Sequence, residues 1–343
     1  MTILENKNYA GAGRYCENLD VLRLLASVAI VWIHAVQTPI FQIASNWCRF
    51  AVPAFTGISV LLLVWRRSGG LAKDFWIYVT GRATKIYALF LVWNGIYAGV
   101  RFLEHHAIIG GDNIRWSYET AFLAGFTEQL WFLPFLSLIT VVVAAPAFVY
   151  TRIEGVQKWA LAMLFSTVGM VLALRPSPIN VNIEVHPASY WFVLAWQAAP
   201  SALIVFGILP VCIQAGKIIS PRPLFGLALV FLAAFLLWLS INSKYMILLQ
   251  NISGIVLVLG AVLEPFPDFL KRIAKNLGWL ALPIYVLHVL FVHLIEVFGH
   301  RVAHLPISMT FDAIVILGGL FGSGLVAWVL QQIPGLKWLV TVR

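Results

Sequence analysis

The chain is 343 residues long, 61% hydrophobic and only 11% charged, against about 25% charged for an ordinary soluble domain. Its apolar residues come in blocks long enough to cross a bilayer, which excludes a water-soluble enzyme. The formal charge of +9 lies between those blocks, so it fits membrane orientation and gives no reason to expect a nucleic-acid partner.

Residues 1–18 are polar and lack both an apolar h-region and a small-residue cleavage site, so a short cytoplasmic N-terminal segment is expected and no cleaved signal peptide. At about 20 residues per span, ten spans are predicted, at 20–38, 47–65, 84–103, 130–150, 157–174, 190–212, 224–241, 245–263, 277–298 and 309–331. Pro39, Pro176, Pro178, Pro221, Pro223, Pro265 and Pro267 stand at the boundaries, where a residue without an N–H ends a helix. A tight turn around Asn242-Ser243-Lys244 separates the seventh and eighth spans. The expected fold is therefore all-α, a polytopic transmembrane bundle of about ten spans forming one membrane-embedded domain over 1–343, with no appended soluble domain. With the N-terminus cytoplasmic, 17 of the 23 Lys and Arg residues fall on the inner side. Only Arg49, Arg101, Arg115, Arg175, Lys244 and Arg301 fall outside, a positive-inside bias that keeps the C-terminus cytoplasmic as well.

The first span carries Asp20, Arg23, Ser27 and His34 in an otherwise apolar run. Arg23 and His34 are eleven residues apart, which is three turns plus about 20°, so they share one face roughly 16 Å apart along the axis. Asp20 and Ser27 fall near that face, three and four residues from Arg23. Arg23 at the inner edge suits snorkelling as well as function. His34, deeper in the bilayer, suits either a helix-to-helix hydrogen bond or chemistry. Ionisable residues at such depth are costly, and their common face favours function.

His288 in the ninth span lies about 16 Å from that span's inner start, with Tyr285 one turn before it, and either packing or a site role fits them. His300 and His304 have the i,i+4 spacing of metal ligands but no third ligand, so no metal is expected. His105 and His106 fall in the outer segment 104–129, together with Glu104, Asp112, Glu119 and Glu128. Cys16, Cys48 and Cys212 are scattered without ligand spacing. Gly57-Ile58-Ser59-Val60 is no nucleophile elbow, because it sits inside a span and lacks the closing Gly. No phosphate-binding Gly-rich loop is present.

Five stretches, in order, resemble the acyltransferase-3 family of integral membrane acyltransferases, the surface-polysaccharide O-acyltransferase type. Asp20, Arg23 and His34 match its opening L-D-x-L-R entry and Arg-x10-His pattern. Arg49 to Ser59 is similar to its V-P-x-F-F-x-x-S-G stretch, Arg82-Ala83-Thr84-Lys85 to its R-x-x-R element, Leu130-Trp131-Phe132-Leu133 to its L-W-F-L, and Leu277 to His288 to its late G-x-x-S-x-x-I-Y-x-x-H run. The chain departs from the pattern at Lys85, which keeps the charge of an Arg without its bidentate fork, at Val60 for Gly, at Ala281 for Ser and at Gln129, where the family often has His.

The resemblance implies an acyl-CoA co-substrate, typically acetyl-CoA supplied from the cytoplasm, no bound cofactor, and a glycan or lipid-linked sugar hydroxyl as acceptor at the cell membrane. It implies Arg23, Arg82 and Lys85 as the site for the coenzyme's phosphates, which an i,i+3 pair on one helical turn would suit. His34 is the expected general base, since a buried imidazole stays neutral and able to take a proton. Asp20 would pair with Arg23, and Tyr285 and His288 would support the site. A polytopic transporter or flippase is the rival from another class, but the related halves or interrupted half-helices of such carriers are not evident. A non-catalytic family member is disfavoured by the intact Asp20, Arg23 and His34.

Overall fold

A computed structural model describes residues 17–67, 72–104, 117–178, 187–217, 222–241, 243–263 and 266–340. The polar N-terminal segment up to residue 16, His105, His106, Asp112 and Asn242 lie outside the described residues. Within them the chain forms helices and no strands, as a bilayer requires when every backbone N–H and C=O must be paired within its own segment.

In chain order the helices are α1 (Glu17–Ala35), α2 (Pro39–Ser45), α3 (Ala51–Arg67), α4 (Ala72–Glu104), α5 (Phe132–Val142), α6 (Ala144–Tyr150) and α7 (Gly155–Leu174). They continue as α8 (Pro187–Ile204), α9 (Leu209–Lys217), α10 (Pro223–Ser240), α11 (Met246–Val262), α12 (Asp268–Leu277), α13 (Ala281–Val297) and α14 (Met309–Gln332). Among the described residues nine stretches are long and apolar enough to cross a membrane. The one remaining expected span, the eighth, is α11, an apolar helix of 17 residues, at the short end of what spans a bilayer. The chain is thus a multi-pass, all-α membrane bundle. Several spans are compound, with α2 leading into α3, α5 into α6 and α12 into α13 through short tighter turns.

The third span differs most from its expected bounds. Instead of beginning at 84, α4 begins at Ala72 and runs 33 residues, about 50 Å, well beyond the hydrocarbon thickness. Arg82 and Lys85 therefore sit inside a continuous helix, not at its frayed end. The hydropathy pattern missed this because the first eleven residues of α4 carry Lys73, Asp74 and Arg82 among aromatics.

Helix α1 is the hub, packed against α3, α11, α12, α13 and α14, with Leu22, Ala26, Ile30 and Val31 all but fully buried. Polar atoms stitch α13 to the hub and to α4. Ser27 Oγ donates to the Ala281 carbonyl at 3.0 Å and Tyr97 OH to the Val286 carbonyl at 2.8 Å. Each bond spares a hydroxyl from facing hydrocarbon alone. By contrast α7 and α10 bury only narrow, mostly small-residue strips and leave Met163, Leu164, Phe231 and Phe235 exposed, as lipid-facing helices should.

Small residues set the closest approaches. A Cβ on Gly254 of α11 would stand 2.5 Å from Pro53 Cβ and 2.9 Å from Ala54 N of α3, a clash with backbone that no rotamer relieves. Gly254→Val is therefore expected to cost about 1–3 kcal/mol by overpacking, read as a lower unfolding temperature in detergent.

Candidate functional site

At the end of the bundle where α1 begins, a cavity of about 1240 Å³ opens between α1, α3, α4, α5, α13 and the segment after α14. Arg23, Arg82 and Lys85 all line it, as does Asp20. Arg23 donates from NH1 to Asp20 Oδ1 at 2.7 Å, the i,i+3 pair expected from the sequence. Arg82 NH1 donates to the Tyr78 hydroxyl at 3.1 Å, one turn earlier on α4. Arg82 and Lys85 are each half-buried, so their charges face the cavity while their stems pack along the helix. The turn from α12 to α13 passes so close to α1 that a Cβ on Gly278 would meet Asp20 Cβ at 3.1 Å.

The inner end of the cavity is aromatic. Tyr285 stands there with Phe55 and Phe132, ring centroids 6.4 and 5.7 Å away. Its hydroxyl donates to the carbonyl of Gln129. Beyond Tyr285 lies His288, at 6.5 Å between centroids, and then His34, 5.3 Å further from ring to ring. The two deep histidines, separated by more than 250 residues of sequence, are thus neighbours, and one tyrosine ring stands between them and the cavity.

His288 is fully buried. Its Nδ1 lies 2.9 Å from the carbonyls of both Ile284 and Tyr285. Both partners are acceptors, so Nδ1 carries the proton and the neutral ring presents Nε2 as a bare acceptor. That Nε2 is buried with no hydrogen-bonding partner. A polar atom left unpaired in such surroundings is costly and marks the interior beside His34 as a place for a further group to bind or react.

His34 has no carboxylate within reach in its own span, and the carboxylate whose charge reaches it comes from elsewhere in the chain. Residues 117–129, expected as the tail of the outer segment, fold as helical turns against the bundle. Asn94 of α4 holds them there. Its side-chain amide donates to the carbonyls of Thr120 and Ala121 at 3.1 and 2.9 Å, and its Oδ1 accepts from Phe126 N–H at 2.7 Å. This places Glu128, exposed on the surface, within electrostatic range of both His34 and Tyr190 of α8. The only sequence signal was Glu128 standing two residues before Leu130-Trp131-Phe132-Leu133.

The connection just after His34 is held by a residue that the sequence did not single out. Asp312 of α14 is fully buried and accepts from Thr38 Oγ1, from Thr38 N–H at 2.9 Å and from Gln37 N–H at 3.2 Å. It satisfies donors at the start of α2 that have no intrahelical partner. Gln37 Nε2 in turn donates to Glu296 at 2.7 Å. Asp312→Ala is expected to cost about 2–3 kcal/mol, the worth of hydrogen bonds to a buried charge, and to lower thermal stability in detergent. His300 contacts the Gln37 amide through Nε2 and the Leu305 carbonyl through Nδ1, so both its nitrogens are engaged away from His304. Among the described residues no group of three His, Cys, Asp or Glu side chains is placed to hold a metal.

A family model described as an acyltransferase domain matches residues 17–331. No curated protein matches the chain, and no solved structure does.

Proposed function

The chain belongs to the acyltransferase-3 family and is a membrane acyltransferase, and from that premise we propose that it moves an acyl group, acetyl in the first instance, from acyl-CoA to a hydroxyl of a glycan or lipid-linked sugar at the cytoplasmic membrane. One observation carries the proposal. A single cavity gathers Arg23, Arg82 and Lys85 and ends on Tyr285, with His288 and His34 directly behind that ring.

In this mechanism the coenzyme enters from the cytoplasmic end. Its diphosphate meets Arg23, Arg82 and Lys85, and its thin arm lies along the apolar wall of Phe55, Phe132 and Tyr285. Charge-assisted hydrogen bonds hold the anion, while the aromatic end excludes water from the thioester. His34 takes the proton of the acceptor hydroxyl as its oxygen attacks the thioester carbonyl carbon. The C–S bond then breaks, and the CoA thiolate leaves with the proton from His34. The products are the acyl ester and free CoA. Glu128 stabilises the transient imidazolium by its charge. His288, held as an acceptor at Nε2, lies beside His34. Asp20 acts through Arg23, whose guanidinium it keeps aimed along the cavity wall.

Membranes containing the protein, incubated with acetyl-CoA labelled in the acetyl group, are expected to yield a labelled, alkali-labile glycan or lipid-linked sugar. Absence of transfer from any acyl-CoA would sink the proposal and favour a transporter.

A further inference from the structure

Two cations of the cavity have no part in the mechanism above. The wall holds five cationic residues, Arg23, Arg82, Lys85, Lys275 and Lys337, against one carboxylate, Asp20. They differ in depth. Arg82 and Lys85 are half-buried, and the Arg23 side chain is 29% exposed. Lys275, in the last turn of α12, and Lys337 are exposed, at the rim. The rim is not a frayed end. After α14 the chain turns at Gly335, with φ +89°, a backbone conformation that suits glycine. It then forms one tight helical turn, Lys337–Leu339, before Leu339 and Val340 bury themselves. Trp93 of α4 locks this turn by donating from Nε1 to the Leu339 carbonyl at 3.1 Å. Lys337 is thereby held at the same cavity as Lys275, with Trp338 also in its lining.

We propose that Lys275 and Lys337 form a second anion site at the cavity mouth, which takes the 3′-phosphate at the adenosine end of coenzyme A. This rests on the acyl-CoA proposal and deepens it by assigning which part of the donor is selected, and where. A coenzyme with its thioester at Tyr285 has its diphosphate at intermediate depth, at Arg23, Arg82 and Lys85. The adenosine end then lies outermost, where the two lysines stand. The 3′-phosphate is a compact dianion near neutral pH, and two ammonium groups, one from α12 and one from the turn after α14, match it as point charges. Attraction at an exposed rim is weaker than at the buried clamp and falls with ionic strength. Its effect is therefore on donor selection, not on the chemical step. The same charge could serve anionic lipid headgroups, because α12 also carries Lys271 and Arg272, and the experiment separates the two.

Acyl transfer is measured in membranes with acetyl-CoA and with 3′-dephospho-acetyl-CoA, for the wild type and for the double variant Lys275→Gln, Lys337→Gln. Binding of CoA and 3′-dephospho-CoA to the purified proteins is measured alongside. The wild type is expected to prefer acetyl-CoA by about tenfold or more in kcat/KM. The variant should bring that ratio close to one through a raised KM for acetyl-CoA, with kcat unchanged. A wild type that treats the two donors alike overturns the assignment. So does a variant that keeps the full preference, which is the outcome if the lysines serve lipid headgroups. Failure of both compounds to bind or react with the wild type overturns the acyl-CoA proposal itself, and this assignment with it.

Discussion

Replacing His34 with alanine is expected to lower kcat for acyl transfer by about 10²–10⁴-fold, the usual worth of a positioned general base, while the KM for acyl-CoA changes little. The separation of the two constants follows from the geometry. His34 stands beyond Tyr285 and His288, away from the cations of the cavity, so its loss removes an interaction made as the bond forms and not one that holds the donor. The pair of measurements also guards against a trivial outcome. A misfolded variant would lose donor binding too, whereas the expected enzyme binds CoA normally and turns over slowly. His34→Ala protein with ordinary kcat would refute the assignment of the base.

The second large effect is expected at the clamp. Neutralising Arg82 and Lys85 together, as Arg82→Gln and Lys85→Gln, should raise the KM for acyl-CoA about 10–100-fold, or roughly 1.4–2.8 kcal/mol, with kcat reduced less. Both side chains are half-buried on one turn of an uninterrupted helix, so their charges are less screened than those of surface lysines. Salt provides an internal control. The wild-type KM should rise with ionic strength and the double-variant KM should rise less steeply. Neutralising Arg272, an exposed cation of α12 outside the cavity wall, should leave the KM alone. An unchanged KM in a folded double variant would remove Arg82 and Lys85 from the donor site.

Much of this molecule was legible before any coordinates. The alternation of apolar blocks and basic loops determined an all-α bundle of about ten spans, because the bilayer permits few other solutions for a chain this apolar. The first and last spans line one cavity at the same end of the bundle, with Asp20 and Arg23 from α1 and Gln331 from the last turn of α14, as an even span count demands. The i,i+3 pair of Asp20 and Arg23 followed from helical geometry alone and is present as an ion pair. The order of motifs identified the family, since each motif is a local run of sequence.

What the sequence could not determine was which distant residues meet. Helical arithmetic gives depth along one span but not which neighbour faces it, because that depends on how α1, α4 and α13 pack. Thus the charge that reaches His34 comes from Glu128, on the turns that Asn94 holds against the bundle, which its own span does not reveal. Asp312 stood near the start of the last span with no hint that it binds the connection after the first. Lys337 reads in sequence as an ordinary positive-inside flanking charge, but Trp93 ties its turn to α4 at the cavity. Hydropathy and local geometry report what each helix must do in a membrane. Only tertiary packing decides which polar groups find each other inside it, because those contacts join residues far apart in the chain.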